Sequence, residues 1–428
     1  MGEILLDQPL SPAGERVLHL SAEARITRRL RPVADKLPVE PSRAVGVDLP
    51  FDRQSGQCLM GWTAPDPTAS RCAKMVLSTD HPWEGAALMQ VTTIGLDIAK
   101  NVFQVHGIDC EGRAVMRRKV RRDQLLALFG KLEPCLIGME ACATAHHWAR
   151  ELMALGHQVK LMPPAYVKAY VKRNKNDAAD AEAICEAVTR PTMRFVPIKS
   201  ADAQSILMLH RARHLLVRQR TAQVSAMRSH MAEYGVIAPA GRAHVRDLIE
   251  TLDKGDPALP DLARQVLLLI ARMIEELNRQ IRTIEIELLA WHRSNPTCQR
   301  LETIPGIGFI TATALAATVS DARVFPSGRQ FAAWLGLVPK QHSSGGKDRM
   351  GGVSKMGDRY LRHLLVLGGT AVVRYTRRKT TSVSKWANQL LERKPARLVT
   401  VAVANKLARI AWAVMAREEN YRAVPVAS

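Results

Sequence analysis

The chain is 428 residues long, enough for two or three domains that each bury a core. Its 61 Lys and Arg outnumber 40 Asp and Glu, a net charge of +21, and 47% of its residues are hydrophobic. That content excludes a wholly disordered chain, and the excess of cations points to a polyanionic partner. Nucleic acid is favoured over an anionic membrane surface or a merely solvated basic face. The seven cysteines include no CxxC pair and no cluster at zinc spacing, which excludes a disulfide scaffold and a zinc module. No apolar run reaches the roughly 18 residues of a membrane span, and the N-terminus lacks a leader pattern. A cytoplasmic, nucleoid-associated protein is the expectation.

Residues 1–88 are rich in Pro, Arg and Asp with little periodicity, and they predict a poorly ordered extension, or sequence ahead of a functional start at Met89. From Val91 the pattern changes. Val91–Ile98 reads as a strand carrying Asp97, Val102–Ile108 as a second and Arg113–Val120 as a third. Asp123–Lys131 predicts a helix, Cys135–Glu140 a short buried strand, Ala145–Leu155 a helix and His157–Met162 a strand stopped by Pro163-Pro164. Asn176–Thr189 predicts a helix capped by Asn176 or Asp177. Hairpin strands followed by alternating strand and helix predict a mixed α/β sheet over 89–198. Residues 199–293 hold two long helical patterns, 200–236 and 258–292, separated by a Gly/Pro/Asp-containing break. The second places Val266, Leu269, Ile270, Met273, Ile274, Leu277 and Ile281 near heptad spacing, which predicts a helical hairpin or an oligomerising coiled coil. Residues 294–428 predict an α-rich domain to about Val373, a basic stretch (Arg374, Arg377, Arg378, Lys379) and a last helix, 394–418.

Four acids stand out. Asp97 and Glu140 each interrupt an otherwise apolar strand, and Asp177 and Asp180, three apart, share one face of a helix. Oxygen ligands converging in this way suit Mg²⁺, which in phosphoryl transfer often works as a pair of ions. Each acid also has a plainer explanation: Asp177 as a helix cap, Asp180 as a first-turn acid favoured by the helix dipole, and either strand acid as a chance loop-edge residue. The opening Ile94–Lys100 also resembles the phosphate loop of sugar-kinase and actin-like ATPases, but no second Gly-rich loop or adenosine motif follows it.

Further on, Leu301–Ala312 reads as a helix-hairpin-helix whose Gly306-Ile307-Gly308 turn offers backbone N–H groups to a DNA phosphate. An ordinary packing turn is the alternative. The loop Ser343-Ser344-Gly345-Gly346 would by itself be a flexible turn. It is surrounded by Lys340, Lys347, Arg349, Lys355, Arg359 and Arg362, and a serine hydroxyl in such an electropositive loop can act as a nucleophile. Arg211, Arg213, Arg218, Arg220 and Arg228 add a basic helical segment, either a nucleic-acid contact or a solvated face.

From Met89 to Ala416, about three quarters of the chain, the sequence resembles transposases of the insertion sequence 110 family, of the 1111 subgroup, relatives of the Piv DNA invertases. The matching pieces are Gly95–Lys100, Gly138–Cys142, Asn176–Ala181, Pro305–Gly308 and Phe331–Gly357, in family order. The resemblance implies a RuvC-like (RNase H-like) domain whose DEDD metal site maps onto Asp97, Glu140, Asp177 and Asp180. It also implies a C-terminal transposase domain that supplies a serine nucleophile, carried here to Ser344 with Ser343 as its rival. Such proteins act as tetramers on the DNA of element ends and target, with composite sites and an element-encoded bridge RNA as guide. Arg211 and Arg218 are candidate RNA contacts, and Lys340, Lys347, Arg349, Lys355 and Arg359 candidate DNA contacts, together with Gly306 and Gly308. A RuvC-type Holliday-junction nuclease, which needs the acids but neither serine, is the competing enzyme. A non-catalytic nucleic-acid-binding protein would leave the strand acids unexplained.

Overall fold

A computed structural model describes residues 90–172, 176–239, 241, 244–376 and 381–422. The stretch 1–88 and the basic residues Arg377, Arg378 and Lys379 lie outside the described residues. Strands β1 (Thr93–Asp97), β2 (Val102–Ile108) and β3 (Ala114–Arg121) form an antiparallel meander. Strands β4 (Leu136–Glu140) and β5 (Gln158–Met162) add to β1 in parallel, giving the order β3-β2-β1-β4-β5. The sheet is therefore mixed. One face is covered by α1 (Leu125–Phe129) and α2 (Ala145–Ala154), whose Leu125, Phe129, Trp148 and Leu152 are buried against Ile94, Leu96, Phe103, Val105, Ile137 and Met139. The helix read over 123–131 is shorter than expected, a 3₁₀ turn followed by α1, with Leu125 and Phe129 fully buried and Leu126 and Leu128 packed beside them. After a short α3 (Pro164–Val167), α4 (Asp177–Val188) covers the other face.

What lets α4 lie flat there is a pair of glycines. Gly95 and Gly138 are register partners on adjacent parallel strands, so they point to the same face. An alanine Cβ at Gly95 would run into the Ala181 carbonyl oxygen and the Cys185 backbone nitrogen, and at Gly138 it would lie 2.7 Å from Val188 Cβ. The two glycines make a trough that seats the helix backbone itself.

Two long helices follow, α5 (Ala201–Ala232) and α7 (Asp261–Ser294). They run antiparallel: Arg213 reaches Glu285 at 2.6 Å and Arg220 reaches Asn278 at 3.0 Å, while Met227 and Met231 share a core with Leu267, Ala271 and Ile274. The break between them contains a helix not expected from the sequence, α6 (His244–Lys254), which buries Val245, Leu248 and Leu252. The stripe expected on α7 divides. Ile274 and Ile281 are buried with Leu267, Ala271 and Leu288, whereas Val266, Leu269 and Met273 join Leu262 on an exposed face.

In the C-terminal part, α8 (Pro296–Glu302) and α9 (Phe309–Thr318) flank the Gly306–Gly308 turn, and α10 (Gly328–Trp334) leads into a hairpin of β6 (Pro339–Gln341) and β7 (Met350–Val353). This hairpin, and α12 (Ser382–Leu391) between α11 (Arg359–Tyr375) and α13 (Ala396–Arg417), were not read from the sequence. By length and composition α13 is apolar enough to cross a membrane, although Asn405, Lys406 and Arg409 interrupt its apolar run. Here its Val399, Val403, Ala404, Leu407, Ala408 and Ala411 are buried in the C-terminal core.

His210, 1% exposed, ties α5 to this core. The Thr313 hydroxyl donates to the Phe309 carbonyl, so His210 Nε2–H donates to Thr313 Oγ1 at 3.1 Å and Nδ1 accepts from the Tyr360 hydroxyl at 3.0 Å. Burial, with Arg213 adding repulsion, pushes its pKa down to about 4. The unfolded chain, titrating near the ordinary value of ~6.5, then binds the extra proton first. Stability should fall as pH drops from about 6.5 to 4, by up to about 3 kcal/mol, and His210→Gln should flatten that part of a pH-dependent denaturation series. Gly95→Ala should cost ~3 kcal/mol in chemical denaturation, whereas Gly352→Ala, with open space at its Cβ, should be near neutral.

Candidate active site

The trough fixes where the acids go. Successive strand residues alternate faces, so Asp97, two after Gly95, and Glu140, two after Gly138, project on the α4 side. Helix α4 begins above them. Its N-cap is Asn176, whose Oδ1 accepts from the Ala178 N–H at 3.1 Å. Asp177 is thereby relieved of the capping role and stands in the first turn with Asp180. Asp97, Asp177 and Asp180 each offer a carboxylate oxygen, and the three oxygens lie within 4.8 Å of one another. Asp97 and Asp180 are half-buried and Asp177 is exposed.

Glu140 is adjacent. Burial, then the charges of Asp97 and Asp180, raise its pKa above the ordinary carboxylate value. The neighbouring Cys142 thiol is also pushed up, by burial and by Glu140 and Asp97. The α4 dipole offsets part of this crowding at its N-terminus. Oxygen-only donors packed at this spacing match a hard divalent cation of the Mg²⁺ class, whose charge would remove the repulsion that now raises Glu140.

The serines lie on a different part of the chain. Gly345 (φ +56°) and Gly346 (φ +75°) occupy the left-handed positions of a two-residue turn closed by Lys347 N–H donating to the Ser344 carbonyl at 3.1 Å. Ser343 Oγ accepts from Gln341 Nε2 at 3.1 Å and from the Arg349 N–H at 3.3 Å. Ser344 Oγ has no hydrogen-bond partner among the described residues. Both serines, with Lys340, Lys347 and Arg349, are exposed, as are Lys355 and Arg359 beyond the hairpin.

The remaining candidate cations separate by what they touch. Arg213 pairs with Glu285, Arg228 donates to the carbonyls of Pro239 and Gly241, and Arg362 donates to those of Leu335 and Met356, so these serve the fold. Arg211 and Arg218 remain exposed on α5. In the α8–α9 turn the two glycines differ. Gly306 (φ +90°) leaves room for α11, since a Cβ there would sit 2.8 Å from Val372 Cγ2 and 2.9 Å from the Gly368 carbonyl oxygen. Gly308 is exposed ahead of the first turn of α9. The in-register glycines were not among the expected site residues, although the spacing that signals them, a glycine two residues before each strand acid, is plain once the strands are paired.

Two family models match the chain. The transposase IS116/IS110/IS902 family model covers residues 298–384, and a DEDD-type transposase model named for IS110 covers residues 94–236. A probable family 20 transposase of Pseudomonas aeruginosa is 50% identical over 336 residues, 78% of this chain and 99% of the relative. The transposase for insertion sequence element IS1111A of Coxiella burnetii is 39% identical over 78% of this chain and 93% of its own length. The pilin gene-inverting protein of Moraxella bovis is 25% identical over 64% and 77%.

Crowded acids without a cation oppose folding. Asp180→Asn should therefore raise the thermal midpoint in chelator by the equivalent of ~1 kcal/mol. A titration with MgCl₂ or MnCl₂ should stabilise the unsubstituted chain and leave the variant nearly unmoved.

Proposed function

The chain belongs to the IS116/IS110/IS902 family of transposases, and from that premise we propose that it cleaves and rejoins DNA strands through a serine-linked intermediate. The observation that carries this reading is the convergence of Asp97, Asp177 and Asp180 within 4.8 Å, with Glu140 beside them. In this reading residues 89–198 form a RuvC-like catalytic domain, 199–293 a helical segment and 294–428 the transposase domain with its helix-hairpin-helix. Asp97, Glu140, Asp177 and Asp180 hold Mg²⁺, as a pair of ions. Bound there, the ions supply Lewis-acid polarisation of a phosphate and charge for the leaving oxygen.

The nucleophile in this proposal is the Ser344 hydroxyl. Its Oγ forms a bond to the scissile phosphorus, the bond to one deoxyribose oxygen breaks, and that oxygen leaves as a hydroxyl carrying a proton. A hydroxyl of the exchange partner later displaces Oγ, so the number of phosphodiester bonds is conserved and the serine is restored. Ser344 is favoured over Ser343 because the Ser343 hydroxyl already accepts two hydrogen bonds that shape the loop. Lys340, Lys347, Arg349, Lys355 and Arg359 neutralise phosphates around the hairpin, and the exposed Gly308 end of the turn, with Gly306 shaping it, adds backbone contacts.

A hairpin exposed along its length can serve a neighbouring subunit's acids as readily as its own. The exposed Leu262, Val266, Leu269 and Met273 stripe favours self-association, and a homotetramer with composite sites is the assembly proposed. Arg211 and Arg218 are the proposed contacts for an element-encoded bridge RNA. The protein would act in the cytoplasm, on nucleoid DNA. A Holliday-junction nuclease of RuvC type remains the alternative that the acids alone would serve.

On a duplex carrying the DNA that flanks the gene, Asp97→Ala and Glu140→Ala should each reduce cleavage by 10³-fold or more, on the order of 4 kcal/mol of barrier, while DNA binding persists. Ser344→Ala should abolish the covalent protein–DNA adduct seen on denaturing gels, and Ser343→Ala should retain it. Cleavage without any adduct in the unsubstituted chain would favour the nuclease, and an adduct lost only in Ser343→Ala would move the nucleophile by one residue.

A further inference from the structure

The outer strand of the sheet carries charge that the proposed reaction has not used. From Arg113 to Arg122, six of ten residues are cations and none is an acid. Strand β3 is the sheet edge, and its register places these cations relative to the acids. Asp97 pairs across to Gln104 on β2, and Gln104 to Lys119 on β3; Gly95 pairs to His106, and His106 to Arg117. Paired residues point to one face. Arg117, Lys119 and, two further along, Arg121 therefore stand on the same side of the sheet as Asp97 and α4.

That orientation agrees with the surroundings. Arg117 adds repulsion to His106, which also faces Glu182 on α4 and Lys172, while Val120, between Lys119 and Arg121, is buried in the core on the opposite face. Helix α4 packs over β1, β2 and β4, and on β3 the side chains of Arg117, Lys119 and Arg121 are exposed. Arg121 pairs with Asp123 at 3.2 Å, both ends exposed, and Arg117 and Lys119 have no ion-pair partner among the described residues.

Two strand spacings separate Lys119 from Asp97, ~10 Å. One strand of duplex DNA advances ~3.4 Å along the helix axis per phosphate while winding around it, so a strand held with one phosphate at Asp97 brings its next few phosphates within reach of β3. Resting on the assignment of the acids as a DNA-cleaving site, we infer that Arg117, Lys119 and Arg121 form a shelf that holds the backbone of the DNA strand being cut, next to its scissile phosphate. Edge strands often carry lysine to block pairing with other sheets. Charges of either sign would serve that purpose, whereas a run free of acids in line with a carboxylate cluster is complementary to a polyanion. DNA is favoured over RNA because the shelf is continuous with the row that ends at Asp97, while the exposed arginines of α5 lie on a separate helix. Contacts of this kind position the strand and read no sequence.

The test uses the full chain with a benzophenone amino acid in place of Lys119, irradiated on the same flanking duplex. The crosslink should map within about three nucleotides of the cut. Joint Arg117→Glu and Lys119→Glu should lower cleavage at least ten-fold and reduce the slope of log binding constant against log salt by about two. Stabilisation by MnCl₂ should stay unchanged, because the acids are untouched. Crosslinking to copurifying RNA, or a double variant with full cleavage and an unchanged salt slope, would overturn the shelf. Cleavage surviving Asp97→Asn would instead overturn the assignment of the acids, so the two failures are separable.

Discussion

Everything in the sheet domain depends on two side chains that are missing. With Gly95 and Gly138 in register, the backbone of α4 descends onto β1 and β4 to a distance that any Cβ would forbid. Because strand residues alternate, the residues two positions beyond each glycine, Asp97 and Glu140, must then face the helix. Because α4 enters through the Asn176 cap directly above them, Asp177 and Asp180 complete the set. Sheet register, helix seating and acid placement are thus one constraint.

The cost of that arrangement is electrostatic. Like charges meet where burial already disfavours ionisation, and Glu140 registers both effects. A fold selected for stability alone would not gather them. The hydrophobic cores on either side of the sheet, with Phe103, Phe129 and Ile94 fully buried on one side and Ile184 and Met162 on the other, supply the stability that this clustering consumes. The serine hairpin shows the opposite balance. It has almost no burial, and its turn is held by a Gly-Gly pair and by the hydrogen bonds of Ser343. The acid cluster is set by packing between distant elements, the serine loop by local turn chemistry alone.

Much of this was legible in the sequence, for definite reasons. The strands β1, β2 and β4 and the long helices announced themselves because period and length are set by burial on one face, and the acids because each interrupts an apolar strand. What was not legible depends on contacts distant in sequence. Nothing local separates Asn176 from Asp177 as a cap; the distinction came from the side-chain bond to Ala178. The apolar positions of α7 were correctly helical, yet the buried seam falls on Leu267 and Ala271 rather than on Val266 and Leu269, since only the packing of α5 and α6 decides which face is inner. Helix α6 was hidden by the Gly and Pro residues around it. The β6–β7 hairpin was hidden because its strands are short and exposed, with no alternation to reveal them. Arg213, Arg228 and Arg362 looked like Arg211 and Arg218 in the sequence, and only their carboxylate and carbonyl partners set them apart.

If the trough-seated acids form a divalent-cation site, a bound metal ion will be found among them. Crystals of the full chain soaked in MnCl₂, measured at the manganese absorption edge, address it directly. An anomalous peak is expected among Asp97, Asp177 and Asp180, with oxygens at roughly 2.1–2.2 Å and Glu140 in or beside the coordination shell. Crystals that bind manganese elsewhere, with these carboxylates paired to cations of the protein itself, would contradict it.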